Sequence, residues 1–179
     1  TEGNVFFVVE VVRALTEDAG LDQVGRRTLP ERIFAGGVQA VIQRRLRHVP
    51  EAAYALLKLA AVGGRNLDLK VLQALDTTAD IGIWLSVCST AAVLEVQDAR
   101  WRFTHDKLRE YLLHEMTPME RVQQHRRVAE TLEALYPNHP EHAAALVHLW
   151  NIAQDTDKEL HYAELAGQQS IKNGAYVEG

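Results

Sequence analysis

The stretch DIGIWLSVCSTAAVLEVQDARWRF, residues 80–103, changes its hydrophobic period partway along. Asp80 is a good helix cap, and Ile81, Trp84, Leu85 and Cys88 follow it at the spacing of one helix face. Leu94 and Val96 then alternate with polar residues, Asp98-Ala99-Arg100 makes a turn, and Trp101 and Phe103 alternate in a returning strand. Upstream, Asp68 caps a short helix carrying Leu69, Leu72 and Leu75. Before that, Pro50 suits the first position of a helix whose stripe is Ala53, Leu56, Leu57 and Ala60, and Gly63-Gly64 stops it.

Three short helices followed by a two-stranded ribbon spell a winged helix, with a two-stranded wing, within a mainly α chain. Downstream, the helical period resumes from Thr104 with Leu108, Tyr111 and Leu112. Thr117-Pro118-Met119-Glu120 is a capping box opening a helix with Val122, Ala129, Leu132 and Leu135, which Pro137 ends. Two further helices, about 141–154 and 157–171, form an antiparallel pair. Their small residues Ala144, Ala153, Ala163 and Ala166 permit close packing. The pair resembles a tetratricopeptide-type repeat, and Gly174-Ala175-Tyr176 reads as the start of the next.

Toward the N-terminal end, Val38, Val41, Ile42 and Leu46 predict a helix with Arg44, Arg45 and Arg47 on its polar side. Leu29-Pro30-Glu31 begins a short turn of helix, after a loop marked by Gly20 and Gly25. A first helix follows Gly3-Asn4, with Val8, Val11, Val12 and Leu15 in register. The run Val5 to Val9 is also strand-like by propensity, and it is far too short to span a bilayer. With no basic region or cleavage site it is no signal peptide either, so no membrane role is expected and the chain reads as cytoplasmic. Cys88, the one cysteine, allows no internal disulfide and is best read as a small core residue in a reducing compartment. Both ends read as boundaries inside a longer protein.

The residues carry no self-contained catalytic machinery. There is no G-x-x-x-x-G-K-[ST] phosphate loop, and no G-x-S-x-G nucleophile elbow. His139, His142 and His148 lack a matched set of zinc-ligand spacings, and His114-Glu115 lacks the second histidine of H-E-x-x-H. The eight histidines therefore read as exposed loop and helix residues, and no metal is expected. The net charge of −5 disfavours nucleic acid and anionic membranes. Residues 79–92, the candidate recognition helix, contain Asp80 and no Lys or Arg. Across 50–116 there are seven basic and nine acidic residues, few donors for a phosphate backbone. A protein-contact or scaffold role is favoured. The alternatives are a winged-helix DNA-binding regulator with a helical dimerisation region, and an independent peptide-binding repeat protein.

Several segments together resemble a known family. Gly3-Asn4-Val5-Phe6-Phe7, Arg45-Leu46 before Pro50, Leu59 to Arg65, and Phe103-Thr104-His105-Asp106 stand in the order found after the nucleotide-binding domain of STAND ATPases. The likeness is greatest to bacterial regulators with tetratricopeptide arrays, and it covers nearly the whole chain. It implies a helical lid over 1–48, a winged helix over 49–116, and a helical linker with the first tetratricopeptide-like helices over 117–179. The chain would then be a non-catalytic regulatory fragment, with no cofactor of its own. An upstream domain would bind ATP or ADP with Mg²⁺.

The resemblance also assigns candidate nucleotide contacts. Gly3-Asn4-Val5 is similar to the family's Gly-Asn-Pro turn near the nucleotide base, with Val5 replacing the proline. The other reading of these three residues is a plain helix N-terminus. His105-Asp106 is similar to the His-Asp pair of plant disease-resistance proteins and apoptotic scaffold ATPases. There the histidine reaches the β-phosphate of ADP. Thr104-His105-Asp106 also reads as a helix N-terminus with its capping side chains. The C-terminal helical pair implies protein partners, although Glu159 stands where the repeat usually has a small alanine. An unstacked repeat exposes an apolar face, which would promote self-association.

Overall fold

The computed structural model describes residues 37–137 and 139–175. The features expected at Gly3-Asn4-Val5, residues 8–15, Gly20, Gly25, Leu29-Pro30-Glu31 and Tyr176 lie outside them. The described residues form a mainly helical structure with one small antiparallel sheet. In order these are α1 (Gly37–Arg47), α2 (Glu51–Gly63), α3 (Leu69–Leu75), α4 (Ile81–Thr90), β1 (Leu94–Gln97), β2 (Arg100–Phe103), α5 (Asp106–His114) and α6 (Pro118–Leu135). A 3₁₀ turn at Pro140–His142 leads into α7 (Ala143–Ile152) and α8 (Thr156–Ala175). No helix among the described residues is long and apolar enough to cross a membrane.

The helix starts follow from side-chain chemistry. Asp68 Oδ1 accepts the Lys70 and Val71 amides at 2.9 and 3.1 Å, and Asp80 Oδ1 accepts the Ile83 amide at 3.0 Å. Thr117 and Glu120 form a reciprocal capping box, with Pro118 at the first helical position. Pro50 stands one residue earlier than expected. Its ψ of 148° is extended, so it caps α2 and Glu51 begins it. Gly64, with φ of 127°, ends α2 in a backbone region that side chains disfavour.

The sheet pairs Leu94 with Phe103, Glu95 with Arg102, Val96 with Trp101 and Gln97 with Arg100. The turn is shorter than expected, because Arg100 already belongs to β2. Asp98 and Ala99 have φ of 53° and 59°, the two left-handed positions of a type I′ hairpin. Glu95 Oε1 accepts from Arg102 Nε and Nη2 at 3.0 and 2.8 Å on one face. On the other face Leu94 and Phe103 enter the core, while Val96 at the far end is exposed. The hairpin therefore projects outward from a rooted base.

The sequence reading missed a further pairing. Phe103 N donates to Arg65 O at 3.1 Å, Leu67 N donates to Trp101 O at 2.8 Å, and Asn66 bridges Arg102. The segment between α2 and α3 thus flanks β2 on its second edge. Beneath this layer, Leu57, Cys88, Val93, Phe103, Leu108 and Leu112 are wholly buried, and Trp84 Nε1 donates to Ala53 O at 3.0 Å.

The helix α6 packs against α2 and α3 on one side and α7 on the other. Glu133 Oε1 accepts the indole N–H of buried Trp150 at 2.8 Å, and its other oxygen accepts from Lys158 Nζ at 2.9 Å, which ties α6, α7 and α8 together. Ala144 and Ala163, expected at a close helix contact, are exposed. Ala153, just after α7, is buried, and the inward face of α7 itself is Ala143, Leu146, Leu149 and Trp150. Glu159 accepts from Asn151 Nδ2 at 2.9 Å across the α7–α8 turn, so a polar bond replaces small-residue packing there.

Candidate functional site

His105 sits at the junction of β2 and α5. It is the N-cap residue of α5, with φ of −145° and ψ of 142°, and its side chain does not cap the helix. The hydroxyl of Thr104 does not cap it either. It donates to Ala92 O at 3.0 Å and lies 3.3 Å from Val93 O, while the Thr104 amide donates to Val93 O at 3.0 Å. Asp106 is the first residue of α5, and its Oδ2 accepts from Arg65 Nη1 at 3.1 Å. The side chains expected to cap this helix are thus spent on tertiary contacts. They fix the strand-to-helix corner on which His105 is carried.

Arg45 is the second element of the corner, and it corrects the sequence reading. It was expected on the polar side of α1, but only 8% of it is exposed. Ile42, Arg45, Leu46 and Val49 share one face at i, i+3, i+4 and i+7, so the guanidinium turns inward. Its Nη1 donates to Ala92 O at 2.8 Å and lies 3.3 Å from Thr104 Oγ1. Gln43 Nε2 also donates to Tyr111 Oη at 3.1 Å, which holds α1 against α5. Arg44 and Arg47 are exposed.

The electrostatics of the corner follow. His105 is half-buried, and loss of water holds its pKa below the usual histidine value. The Arg45 and Arg65 guanidiniums push the same way, against opposing pulls from Glu95 and Asp106. These influences favour the uncharged ring, a form that carries one N–H donor and one acceptor nitrogen.

Histidine placement differs elsewhere too. His125 was expected to be exposed, yet it is 1% exposed on the inner face of α6, with Nδ1 donating to Arg121 O at 2.6 Å. Its spacing to Val128, Ala129 and Leu132 was the available signal. Tyr136, His139 and His142 stack loosely near the surface. Among the described residues no three His, Cys, Asp or Glu side chains group to hold a metal ion. Cys88 is buried, and burial pushes its thiol up to about 12, far from the reactive thiolate range. The helix α4 carries no Lys or Arg, and of the two arginines on β2, Arg102 is paired to Glu95.

Of the four candidate nucleotide contacts, His105 is placed as described, while Gly3, Asn4 and Val5 lie outside the described residues. Arg45 and Arg65 are the neighbours that sequence reasoning did not connect to His105. No family model, curated protein or solved structure matches this chain.

Proposed function

We propose that the chain is the switch and scaffold segment of a STAND-type signalling ATPase, without catalytic activity of its own. In this reading 1–48 is the lid, 49–116 the winged helix with β1 and β2 as its wing, and 117–179 the linker with the first tetratricopeptide-like helices. Mg²⁺ and most contacts to ATP or ADP belong to an upstream domain, which is the principal partner. The helical pair α7 and α8 serves protein partners in signal transduction, and the setting is cytoplasmic.

The observation that supports this most is the corner at His105. A neutral imidazole donates its N–H to a phosphate oxygen without bringing a charge of its own. The nearby Arg45 and Arg65 supply the positive potential that favours an anion, although Asp106 offsets part of it. Because Thr104, Arg45 and Ala92 are bonded together beside His105, a shift of the backbone that carries the ring disturbs the contacts of α1 and the hairpin with it. A nucleotide touching His105 would therefore bias the whole 49–116 unit, provided it binds one arrangement better than the other. On charge, α4 is poorly suited to a DNA backbone.

Hydrogen exchange of the larger ATPase tests the reading. Amides around Val93, Thr104 and Leu108 should exchange more slowly in the ADP-bound protein than in the ATP-bound protein. Equal exchange in both states would contradict a nucleotide switch acting through this corner.

A further inference from the structure

A cavity of about 240 Å³ lies among α2, α3, α5, α6 and α7, away from the His105 corner. Its walls are apolar, built mainly from Leu59, Val62, Val71, Leu72, Leu132 and Leu149. Three side chains that can carry charge also line it: Asp68, Arg109 and His148. Asp68 is already engaged, with Oδ1 capping α3 and Oδ2 accepting from Tyr136 Oη at 2.7 Å.

Arg109 is different. It is half-buried, and its Nε donates to Ala61 O at 2.7 Å, which fixes the side chain at the cavity wall. Among the described residues no carboxylate forms an ion pair with it, and its Nη atoms have no hydrogen-bond partner. Burial lowers its pKa, against opposing pulls from the Asp106 and Glu110 carboxylates, neither of which forms an ion pair with it. Nearby His125 is held neutral, so it adds no second positive charge beside Arg109. A half-buried arginine on the wall of an apolar cavity suits an anion with an apolar body.

We propose that this cavity binds a small amphipathic carboxylate, an aryl or short branched-alkyl acid whose body fills the apolar walls and whose carboxylate pairs with Arg109. The size agrees with the chemistry. A dry cavity of roughly 150 Å³ holds a benzene ring, so this one accommodates a ring with a short acidic tail. The fork of Arg109 matches a carboxylate in a planar, two-bonded geometry that a neutral amide does not reproduce. His148 adds a second donor at the wall. Such a ligand touches α3 and α7 together, so its occupancy couples the helices on the two sides of α6. The proposal is independent of the nucleotide reading.

The test titrates the ¹⁵N-labelled 179-residue chain with 3-phenylpropanoate and, separately, with 3-phenylpropanamide, its uncharged isostere. The acid should give saturable shifts at the amides of Val71, Leu72 and Leu149. The amide should bind about tenfold more weakly or worse, the difference one charge-assisted pair provides. Ala145→Phe, a change on the exposed cavity wall, should abolish the shifts, and Arg109→Gln should reduce the acid to the affinity of the amide. Equal affinity of acid and amide overturns the proposal, as does the absence of saturable shifts with the acid up to about 10 mM, the range expected for a ligand of this size. The unaltered chain decides both points, so the outcome does not depend on either variant folding.

Discussion

Arg45 Nη1 stands 2.8 Å from the carbonyl oxygen of Ala92, so a guanidinium from α1 closes the C-terminal end of α4. Three other arginines do the same elsewhere. Arg109 Nε donates to Ala61 O at the end of α2, Arg127 Nη2 to Leu75 O at the end of α3, and Arg126 Nη2 to Ala153 O at the end of α7. The last carbonyls of a helix lack intrahelical donors and carry partial negative charge, so a cation from another element satisfies both needs. Two of these ends are conformationally costly. Ala92 and Gln154 follow α4 and α7 with φ of 54° and 59°, where glycine is usual. An arginine clamps each of those turns.

Removing the Arg45 clamp should cost stability in proportion. Arg45→Met keeps the apolar stem and leaves Ala92 O without its charged donor, for a loss of about 2 kcal/mol. Arg45→Lys should recover only part of it, because an ammonium cannot reproduce the fork. Urea unfolding measures both. A loss within experimental error for Arg45→Met would show that the bond is unimportant to the corner.

The hairpin turn carries strain that can be relieved. Ala99 occupies a left-handed position where a Cβ is unfavourable. Ala99→Gly should therefore stabilise the chain by roughly 0.5–1 kcal/mol, even though glycine usually weakens a strand or helix. A lower urea midpoint in the variant would contradict the turn assignment.

Buried His125 predicts a stability loss in mild acid. Burial foremost, with the charges of Arg121, His148 and Arg109, lowers its pKa from 6.5 to about 4, against the opposing hydrogen bond to Arg121 O. As pH falls below 6.5 the unfolded chain takes up a proton that the folded chain refuses. Its contribution is thus complete above that value and is lost progressively down to about 4. The loss should amount to roughly 2–3 kcal/mol between about pH 7 and pH 4. His125→Leu should flatten that part of the profile. If the variant and the original chain lose the same stability over that range, His125 is not the group responsible.

Residues 80–103 foretold their helix, turn and returning strand because a period change is a local signal. Asp68, Asp80 and Thr117 likewise announced their helices, since a cap is read within four residues. The pairing of Arg65–Leu67 with β2 was hidden, because its partner lies far along the chain and three residues show no alternation. Arg45 and His125 were misplaced for one reason. Both stand in register with apolar neighbours, but a polar side chain in such a stripe reads as surface until its buried acceptor is known. The helix ends at Ala92 and Gln154 lacked the glycine that marks such turns. Of the candidate site, His105 was singled out by the family resemblance of Phe103-Thr104-His105-Asp106, whereas Arg45 and Arg65 come near it only through the tertiary fold.

The central proposal is that this chain belongs to a larger STAND-type ATPase in which His105 helps hold ADP. Purify that protein with its bound nucleotide, alongside the His105→Ala variant, and quantify the ADP retained per chain after extensive washing, with thermal unfolding as a check on the fold. The account predicts that the variant melts as the original does but retains at least several-fold less ADP, because one charge-assisted bond to phosphate is gone. Equal ADP retention in the two proteins would contradict it.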